Sequence, residues 1–598
     1  LNDQKAVFEI RKAGLNILMS MKGDKKGVAF IEDCAVTLEN LADYTERLRD
    51  VFRKYNTEGL FYAHASVGTL HVRPILNAKS EQDIKNMKAI AKEAFAMVKE
   101  YKGSHSGEHG DGIVRSEFHE MMFGKKIVGA FEEIKDTFDP KGLLNPGKIV
   151  RAFKSDDRTL MRYKPGYKAE NISTHYDWSA WGQLSDAVEM CNNNGACRKL
   201  DSGVMCPSYR VTMEEKDLVR GRANTLRLAL SNQLPKGSFA SKEMFETMEL
   251  CVSCKACQRE CPMSVDMAKM KSEFLSHYYK KFTMGIKDRI ISDMPRLIWL
   301  IKITAPIFNK VKNIPLLDKV IEAFGFSTKR EMPEVQNITP LKEIYKTQPT
   351  FEKKVILLAD TFNINFEVKN IMYAIKVLNK FGFQAIIPSF DDNNLSRPLC
   401  CGRTYISYGQ MDKAKFEMNR VTNYLYNNGY AEMPVVGIEP SCLLTFNDEF
   451  KALKGIENRD KLKNKFYLIE EFILEQIKEG NKVNAHAYNK NVLVHGHCHQ
   501  KSQDRFQGLL ELLKTLEIKH KPIDSSCCGM AGSFGYSSKN YEISKKMANL
   551  SLIPTINNSP EDVVIANGTS CRQQIFDFSK RDAKHVSELL FNIFERVN

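Results

Sequence analysis

The run CVSCKACQRECP, residues 251–262, constrains this chain more than any other feature. Cys251, Cys254, Cys257 and Cys261 stand at C-x2-C-x2-C-x3-C spacing, and Pro262 follows the last of them. Two-residue spacers let three thiolates wrap a single cubane, and the fourth cysteine of such a run usually serves another cluster. A structural zinc site is the competing reading, but zinc sites pair two separate C-x2-C units. The spacing therefore points to a [4Fe–4S] cluster.

A partner motif lies upstream. CNNNGACRKLDSGVMCP supplies Cys191, Cys197 and Cys206, followed by Pro207. At matching spacing a cysteine belongs at 194, where Asn194 stands instead. One cluster can then be built from Cys206, Cys251, Cys254 and Cys257. Cys191, Cys197 and Cys261 remain for a second site, which leaves a three-iron cluster, an incompletely ligated one or none.

Residues 351–598 contain an internal duplication. One copy runs from KVILLADTF through LCCGRTY to PVVGIEPSCLLTF, the other from NVLVHGHCHQKS through SSCCGMAGSFGY to DVVIANGTSCRQQI. Each reads β-α-β-CCG-α-β-SC. Sequential βα units imply parallel strands with helices on the sheet faces. The cysteines then fall at strand C-terminal ends and helix N-termini, where backbone N–H groups favour thiolate-ligated metal. The second copy holds Cys498, Cys527, Cys528 and Cys571. The first holds Cys400, Cys401 and Cys442, with Thr361 in the place matching Cys498. Adjacent cysteines ligate one zinc poorly and suit a larger iron–sulfur assembly or redox thiol chemistry. A decayed relic is the alternative, stronger for the first copy. His495, His497 and His499 flank Cys498 and are expected as hydrogen-bonding neighbours, not ligands. Both sets of Cys loops are expected to face one cleft, made positive by Arg572 and these histidines, which would lower the thiol pKa values.

The N-terminal region alternates helix and strand. GVAFIEDCAV reads as a strand, 38–54 as a helix, LFYAHAS and TLHVRPIL as two strands, and about 80–100 as a long helix. A Gly-rich loop and a helix ending at FDP follow. AHASVGTLHVRP places His64 and His71 across a turn, and SGEHGDG holds Glu108 and His109. Two imidazoles and a carboxylate make an open divalent-metal site with positions left for substrate oxygens. His109 would then serve as general base for a substrate hydroxyl. The whole reads as multi-domain α+β and α/β. Its expected domains are 1–153, a helical cluster domain at 185–280, a helical connector at 281–350, and lobes at 351–450 and 485–598.

Of the fifteen cysteines, fourteen lie between 191 and 571. With no export signal, clustered cysteines point to metal and not to disulfides. The net charge is +14, but lysine is spread evenly with no compact basic run, so nucleic acid is not an expected partner. No run of 18 apolar residues occurs, so no membrane-spanning helix is expected. Residues 294–317 admit two readings: an interfacial helix pair, or a packing contact that includes the interface between copies in a homo-oligomer. The chain begins at Leu1 within a helical pattern, which reads as a chain cut inside a larger protein.

These residues carry a resemblance. EIRKAG, HASVGTLHVRP, SGEHGDGIVR and FDPKGLLNPGKI resemble the C-terminal cap of flavin-linked oxidases in the vanillyl-alcohol-oxidase superfamily. The remainder resembles the iron–sulfur and cysteine-rich CCG modules of glycolate oxidase, heterodisulfide reductase and glycerol-3-phosphate dehydrogenase subunits. The order is similar to bacterial fusions of FAD-linked D-lactate or D-2-hydroxyglutarate dehydrogenase with an iron–sulfur tail. The resemblance implies FAD, with its binding lobe expected upstream of residue 1, and a divalent metal such as zinc on His64, His71 and Glu108. It implies His109 as base, Arg11 as the grip on a substrate carboxylate, and Asn145 and Gly147, with Glu108, near the flavin and its substrate. The family pattern HxGDGN is HASVGT here, and Arg73 replaces a small polar residue.

The implied activity is oxidation of a D-2-hydroxyacid to the 2-oxoacid. Electrons would pass singly through iron–sulfur centres to a quinone, a cytochrome or an electron-transfer flavoprotein, in the cytoplasm or at the inner face of the membrane. The second reading is a non-catalytic iron–sulfur protein that pairs with a separate flavoprotein.

Overall fold

The computed structural model describes residues 3–595 except 6, 9, 11–13, 15–18, 202, 299, 301, 302, 305–314, 392–394, 396 and 482. Two compact units divide the chain: Leu1–Glu170 with Ala180–Gly182, and Asn171–Ser179 with Gln183–Asn598.

The first unit is built on an antiparallel sheet. Strands β1 (Lys25–Gly27), β2 (Cys34–Ala35) and β3 (Gly59–His64) all pair with the long β4 (Thr69–Asn77). Helices α1 (Leu41–Lys54) and α2 (Glu81–Glu100) cover one face and bury Tyr44, Leu48, Phe52, Ile90, Ala94 and Phe95 against Val72 and Leu76. Ser80 starts α2 by accepting a hydrogen bond from Asp83 N at 3.3 Å. Helix α3 (Lys125–Phe138) follows the Gly-rich loop. The expected strand GVAFIEDCAV is broken. Only its two ends are paired, because Asp33 takes a left-handed φ of 61° and turns its carboxylate under the Gly-rich loop.

In the second unit, α4 (Val219–Leu230), α5 (Ala256–Glu260) and α6 (Met267–Lys281) carry the first cysteine region. The connector region contains short helices at Ile286–Ser292, Pro315–Ala323 and Thr339–Thr347. Arg330 anchors it by donating to Gly535 O at 2.7 Å and Ser544 Oγ at 2.9 Å. Part of 294–317 falls outside the described residues, and no described helix is long and apolar enough to cross a membrane.

The duplicated lobes follow. β5 (Lys353–Leu358), β6 (Phe383–Ile386), β7 (Val435–Gly437) and β8 (Phe466–Leu468) form a parallel sheet of order β6-β5-β7-β8. β9 (Val492–His495), β10 (His520–Pro522) and β11 (Val563–Ala566) form another of order β10-β9-β11, also parallel. The first three strands of each lobe thus share one order. A single parallel bridge, Ile565 to Lys584, stands where β8 stands in the first lobe.

Each lobe ends in a helix that packs on the other. α7 (Val368–Lys380) of the first lobe packs against α13 (Val586–Phe594) of the second, and α9 (Ile469–Lys478) of the first against α11 (Phe506–Thr515) of the second. Glu470 accepts from Gln500 Nε2 at 2.6 Å and Asn567 Nδ2 at 2.9 Å. His585 reaches back to Ile438 O at 2.9 Å. Ile371, Leu378, Ile473, Leu512, Leu589 and Ile593 therefore belong to one shared core. Each fully buried aliphatic side chain contributes about 1.5–3 kcal/mol, so neither lobe keeps its core without the other's helix.

Candidate functional site

The antiparallel pairing of β3 and β4 places Tyr62 opposite His71 and His64 opposite Thr69, so both histidines share one face. The turn between them needs Gly68. Its φ is 69°, and a Cβ there would lie 1.9 Å from Val36 O. Glu108 reaches the same face from the Gly-rich loop, with Oε2 3.8 Å from His64 Nε2 and 3.5 Å from His71 Nε2. These ligand atoms lie close enough together to hold one ion. Burial pushes His71 below its usual pKa, which keeps its lone pair available to a metal. His109 stacks on His71 with ring centroids 5.1 Å apart, and its side chain is 45% exposed. The structure thus brings His64, His71, Glu108 and His109 together.

Two residues that spacing did not single out organise this face. Glu32 accepts from Arg73 Nη2 at 2.6 Å and lies 3.8 Å from His71 Nδ1 and 3.9 Å from His109 Nδ1. Arg73, the unusual residue of its motif, therefore neutralises a carboxylate behind the histidines. Asp33 is fully buried and accepts from Glu108 N at 2.8 Å and His109 N at 2.7 Å, while pairing with Arg115. It holds the Glu108–His109 backbone in place. Their only signal in the sequence is an acidic pair inside an apolar strand pattern.

Asn145 is exposed and left-handed, with φ 47°. Gly147 has φ 71° and lies under the Phe153 ring, 2.1 Å from where a Cβ would sit. Arg11 lies outside the described residues.

In the second unit, Cys206, Cys251, Cys254 and Cys257 line one cavity with Ser253, Lys255 and Arg222. Four thiols converging on one enclosed space fit a cubane cluster. Arg222 is fully buried, donates toward Cys206 Sγ at 3.7 Å and to Ser208 Oγ at 3.2 Å, and faces Asp217 at 3.6 Å. Cys191, Cys197 and Cys261 are also buried, and burial pushes the Cys197 thiol up to about 11, with the nearby Cys206, Cys191 and Cys261 adding to it. Asn194 is exposed and spends its amide oxygen on Ala196 N at 2.8 Å. The second set thus offers three cysteines, not four.

The cluster loop touches both lobes. Buried Lys255, left-handed with φ 64°, pairs with Asp448 at 2.8 Å and with Glu449, and Glu449 also binds Arg403 in the first CCG loop. Ser253 O lies 3.1 Å from His499 Nε2 in the second lobe, and Arg259 donates to Lys501 O at 3.0 Å. Burial pushes the Cys254 thiol up, with the nearby Cys498 adding to it. The cluster cavity and the second CCG site are therefore immediate neighbours. The second lobe meets the loop before α5 through His499 and Ser253, and Arg403 of the first lobe meets it through Glu449 and Lys255.

In the second lobe, α10 (Cys498–Ser502) and α12 (Thr569–Ser579) bring Cys498 and Cys571 to the Cys527–Cys528 pair. The Cys527 contact lowers the Cys498 thiol to about 6 against the effect of burial, helped by His497 and Arg403. Cys528 is lowered by Cys527, Cys571 and His495. His495, expected as a neighbour only, stands with Cys528 and Cys571 in ligand-like proximity. Gly568 leaves the room this needs, since a Cβ would lie 2.6 Å from the His497 ring. In the first lobe Cys401 and Cys442 lie 3.1 Å apart. The Cys401 contact pulls Cys442 down, but burial and the carboxylates of Asp360 and Glu439 push it up to about 12. The source of positive charge differs from expectation. Arg572 is paired with Glu367 at 2.8 Å, and burial pushes His495 and His499 toward the neutral form. His497 and Arg403 carry the effect on Cys498 instead.

Residues 1–149 match the family model for the C-terminal domain of FAD linked oxidases, 187–265 a 4Fe-4S dicluster domain, and 492–576 the CCG cysteine-rich domain. Over 640 residues the chain is 26% identical to D-2-hydroxyglutarate dehydrogenase of Escherichia coli (strain K12), covering 98% of this chain and 61% of that protein. It is 32% identical to D-lactate dehydrogenase of Archaeoglobus fulgidus over 149 residues, 25% of this chain and 31% of that protein. It is 27% identical to one of the anaerobic glycerol-3-phosphate dehydrogenase subunits of Escherichia coli (strain K12) over 218 residues, 36% of this chain and 53% of that protein. The chain thus spans about 61% of the length of the D-2-hydroxyglutarate dehydrogenase it matches.

Proposed function

We propose that this chain is the substrate cap and electron-transfer portion of a flavin-linked dehydrogenase that oxidises a D-2-hydroxyacid, D-2-hydroxyglutarate or D-lactate, to the 2-oxoacid. The observation that carries the reading is the convergence of His64, His71, Glu108 and His109 on one strand face. In this reading His64, His71 and Glu108 hold a divalent ion such as zinc, which polarises substrate oxygens when bound. His109, with Glu32 3.9 Å from Nδ1 and Glu108 3.8 Å from Nε2, accepts the substrate's hydroxyl proton. Arg11 grips the substrate carboxylate, and Asn145 and Gly147 border the flavin. FAD and the [4Fe–4S] cluster on Cys206, Cys251, Cys254 and Cys257 supply the redox chemistry. The final acceptor is a quinone, a cytochrome or an electron-transfer flavoprotein, reached from the cytoplasm or the inner membrane face.

In the flavin-loaded protein, His71→Ala and Glu108→Ala are expected to lower 2-hydroxyacid turnover at least about tenfold, the scale of damage to a metal shell. The iron–sulfur spectrum should be unchanged. Wild-type turnover in both variants would overturn the catalytic reading and favour a non-catalytic electron-transfer protein. Anaerobically purified chain should hold about four iron and four sulfide per cubane, lost in Cys254→Ser.

A further inference from the structure

We propose that His105, Asp111 and His119 form a second divalent-metal site, best suited to zinc, buried behind the Glu108–His109 loop and distinct from the His64–His71–Glu108 set. His105 is 1% exposed and His119 2%. His105 Nε2 lies 3.2 Å from Asp111 Oδ1, and His119 Nε2 lies 3.1 Å from Asp111 Oδ2. The three ligand atoms form one compact group.

The proton inventory shows why a cation belongs there. His119 Nδ1 lies 2.9 Å from Ile149 O, which can only accept, so Nδ1 carries the hydrogen. Nε2 of the neutral ring is then a lone pair, and it faces a carboxylate oxygen. Two acceptors at 3.1 Å repel unless a proton or a metal stands between them. A proton would give an aligned N–H···O bond, yet His119 Nε2, His105 Nε2 and Asp111 Oδ1 all lack a partner in hydrogen-bond geometry. Contacts of this length that miss the N–H axis are what a common ion gives. Ligands at about 2.0–2.2 Å from zinc in tetrahedral array lie roughly 3.3–3.5 Å from one another. His105 Nδ1 also lacks a hydrogen-bond partner. A buried imidazole without hydrogen bonds calls for a partner such as a water or an ion.

The surroundings agree. Phe95 and Phe123 lie 5.3 and 5.6 Å from the His105 ring, and Phe131 lies 6.4 Å from the His119 ring. An apolar shell strengthens ion–ligand attraction and excludes competing water. The His119–Ile149 contact is the outer hydrogen bond that usually orients a metal-binding imidazole. An ion here would tie the loop carrying Glu108 and His109 to the helix at His119–Phe123 and to the segment at Ile149. These are positioning contacts, without contact to substrate.

The test separates this site from the first. In the iron-loaded full chain, His71→Ala with Glu108→Ala disables the first set. That variant should retain about one zinc after desalting. Its zinc-edge absorption should show only nitrogen and oxygen neighbours near 2.0–2.2 Å, as opposed to thiolate at about 2.3 Å. Adding His119→Gln or, separately, His105→Asn should weaken zinc at least about tenfold, with circular dichroism unchanged. A double variant that binds no zinc, or binds it only through sulfur, overturns the proposal. Wild type should hold two such ions. If wild type holds one and the double variant none, the first set stands and this site falls. If both hold one, this site stands and the first set falls.

Discussion

In the second CCG lobe His497 stands beside Cys498, and Gly568 lies three residues before Cys571. In the first lobe the same places, counted from the paired ends of β5 and β7, hold Asp360 and Glu439. The backbone order is shared and the cysteine pairs are matched, but the residue just before the Cys498 position is His497 in one lobe and Asp360 in the other. Burial, then the Glu439 charge, raises the Asp360 carboxyl to about 7, and those acids help push Cys442 up to about 12. In the second lobe the Cys527 contact, helped by His497 and Arg403, brings Cys498 down to about 6, while Cys571, which matches Cys442, is pushed well above the usual thiol range by its Cys528 contact and burial, with Glu439 adding to it. The family model for this domain matches only the second lobe, 492–576. The two lobes thus share a scaffold and differ most at the Cys498 position, where the first lobe has Thr361 with Asp360 beside it.

The largest effect should come from importing the acid. In cluster-free chain, His497→Asp should cut alkylation of half-buried Cys498 at pH 7 by about tenfold, as a carboxylate raises the thiol. The sign follows from the thiol. The lowered Cys498 thiol should keep wild-type reactivity to lower pH than an ordinary thiol, whereas the variant should lose it already as pH falls through about 8–9, the ordinary thiol range. An unchanged profile would mean that the two lobes do not differ electrostatically.

Restoring the missing cysteine should do less. Thr361→Cys alone should remain slow to alkylate at pH 7, because Asp360 and Glu439 stay beside it. Adding Asp360→His should accelerate it by about threefold or more. If Thr361→Cys alone matches Cys498, cysteine count and not charge separates the lobes.

The smallest effect concerns the exchanged helices. Burial raises Glu470 to about 8, with the Glu471 charge adding to it. Its folded pKa exceeds the unfolded value of about 4.3, so its stabilising share is full below that value and is lost as pH rises through about 8. Glu470→Gln keeps the acceptor for Gln500 and Asn567. It should leave the Tm nearly unchanged below about pH 4 and raise it by about 2–4 °C at pH 9. Equal shifts at both pH values would contradict this assignment.

Much of this was legible in the sequence because it rests on local spacing. The Cys251–Cys257 spacers, the strand–turn–strand carrying His64 and His71, and the repeated βα order are all short-range patterns. What stayed hidden depends on contacts between distant segments. Glu367 neutralises Arg572 across 205 residues, Glu449 joins Lys255 across 194, and Asp33 reaches Glu108 N across 75. The exchange of α9 and α13 was equally hidden, since amphipathic helices reveal that they bury a face but not against which lobe. Asp33 also broke a strand that its apolar neighbours suggested, because its carboxylate was needed beneath a loop.

Electrons are expected to pass from the cluster on Cys206, Cys251, Cys254 and Cys257 through the second lobe and not the first. Rapid mixing of dithionite-reduced chain with a soluble quinone, following cluster absorbance, tests this route most directly. Cys528→Ser should slow reoxidation at least about tenfold, on the scale of a damaged metal shell, and Cys401→Ser by less than about twofold. The opposite ranking would contradict this route, and so would wild-type rates in both, which would mean that electrons leave the cluster directly.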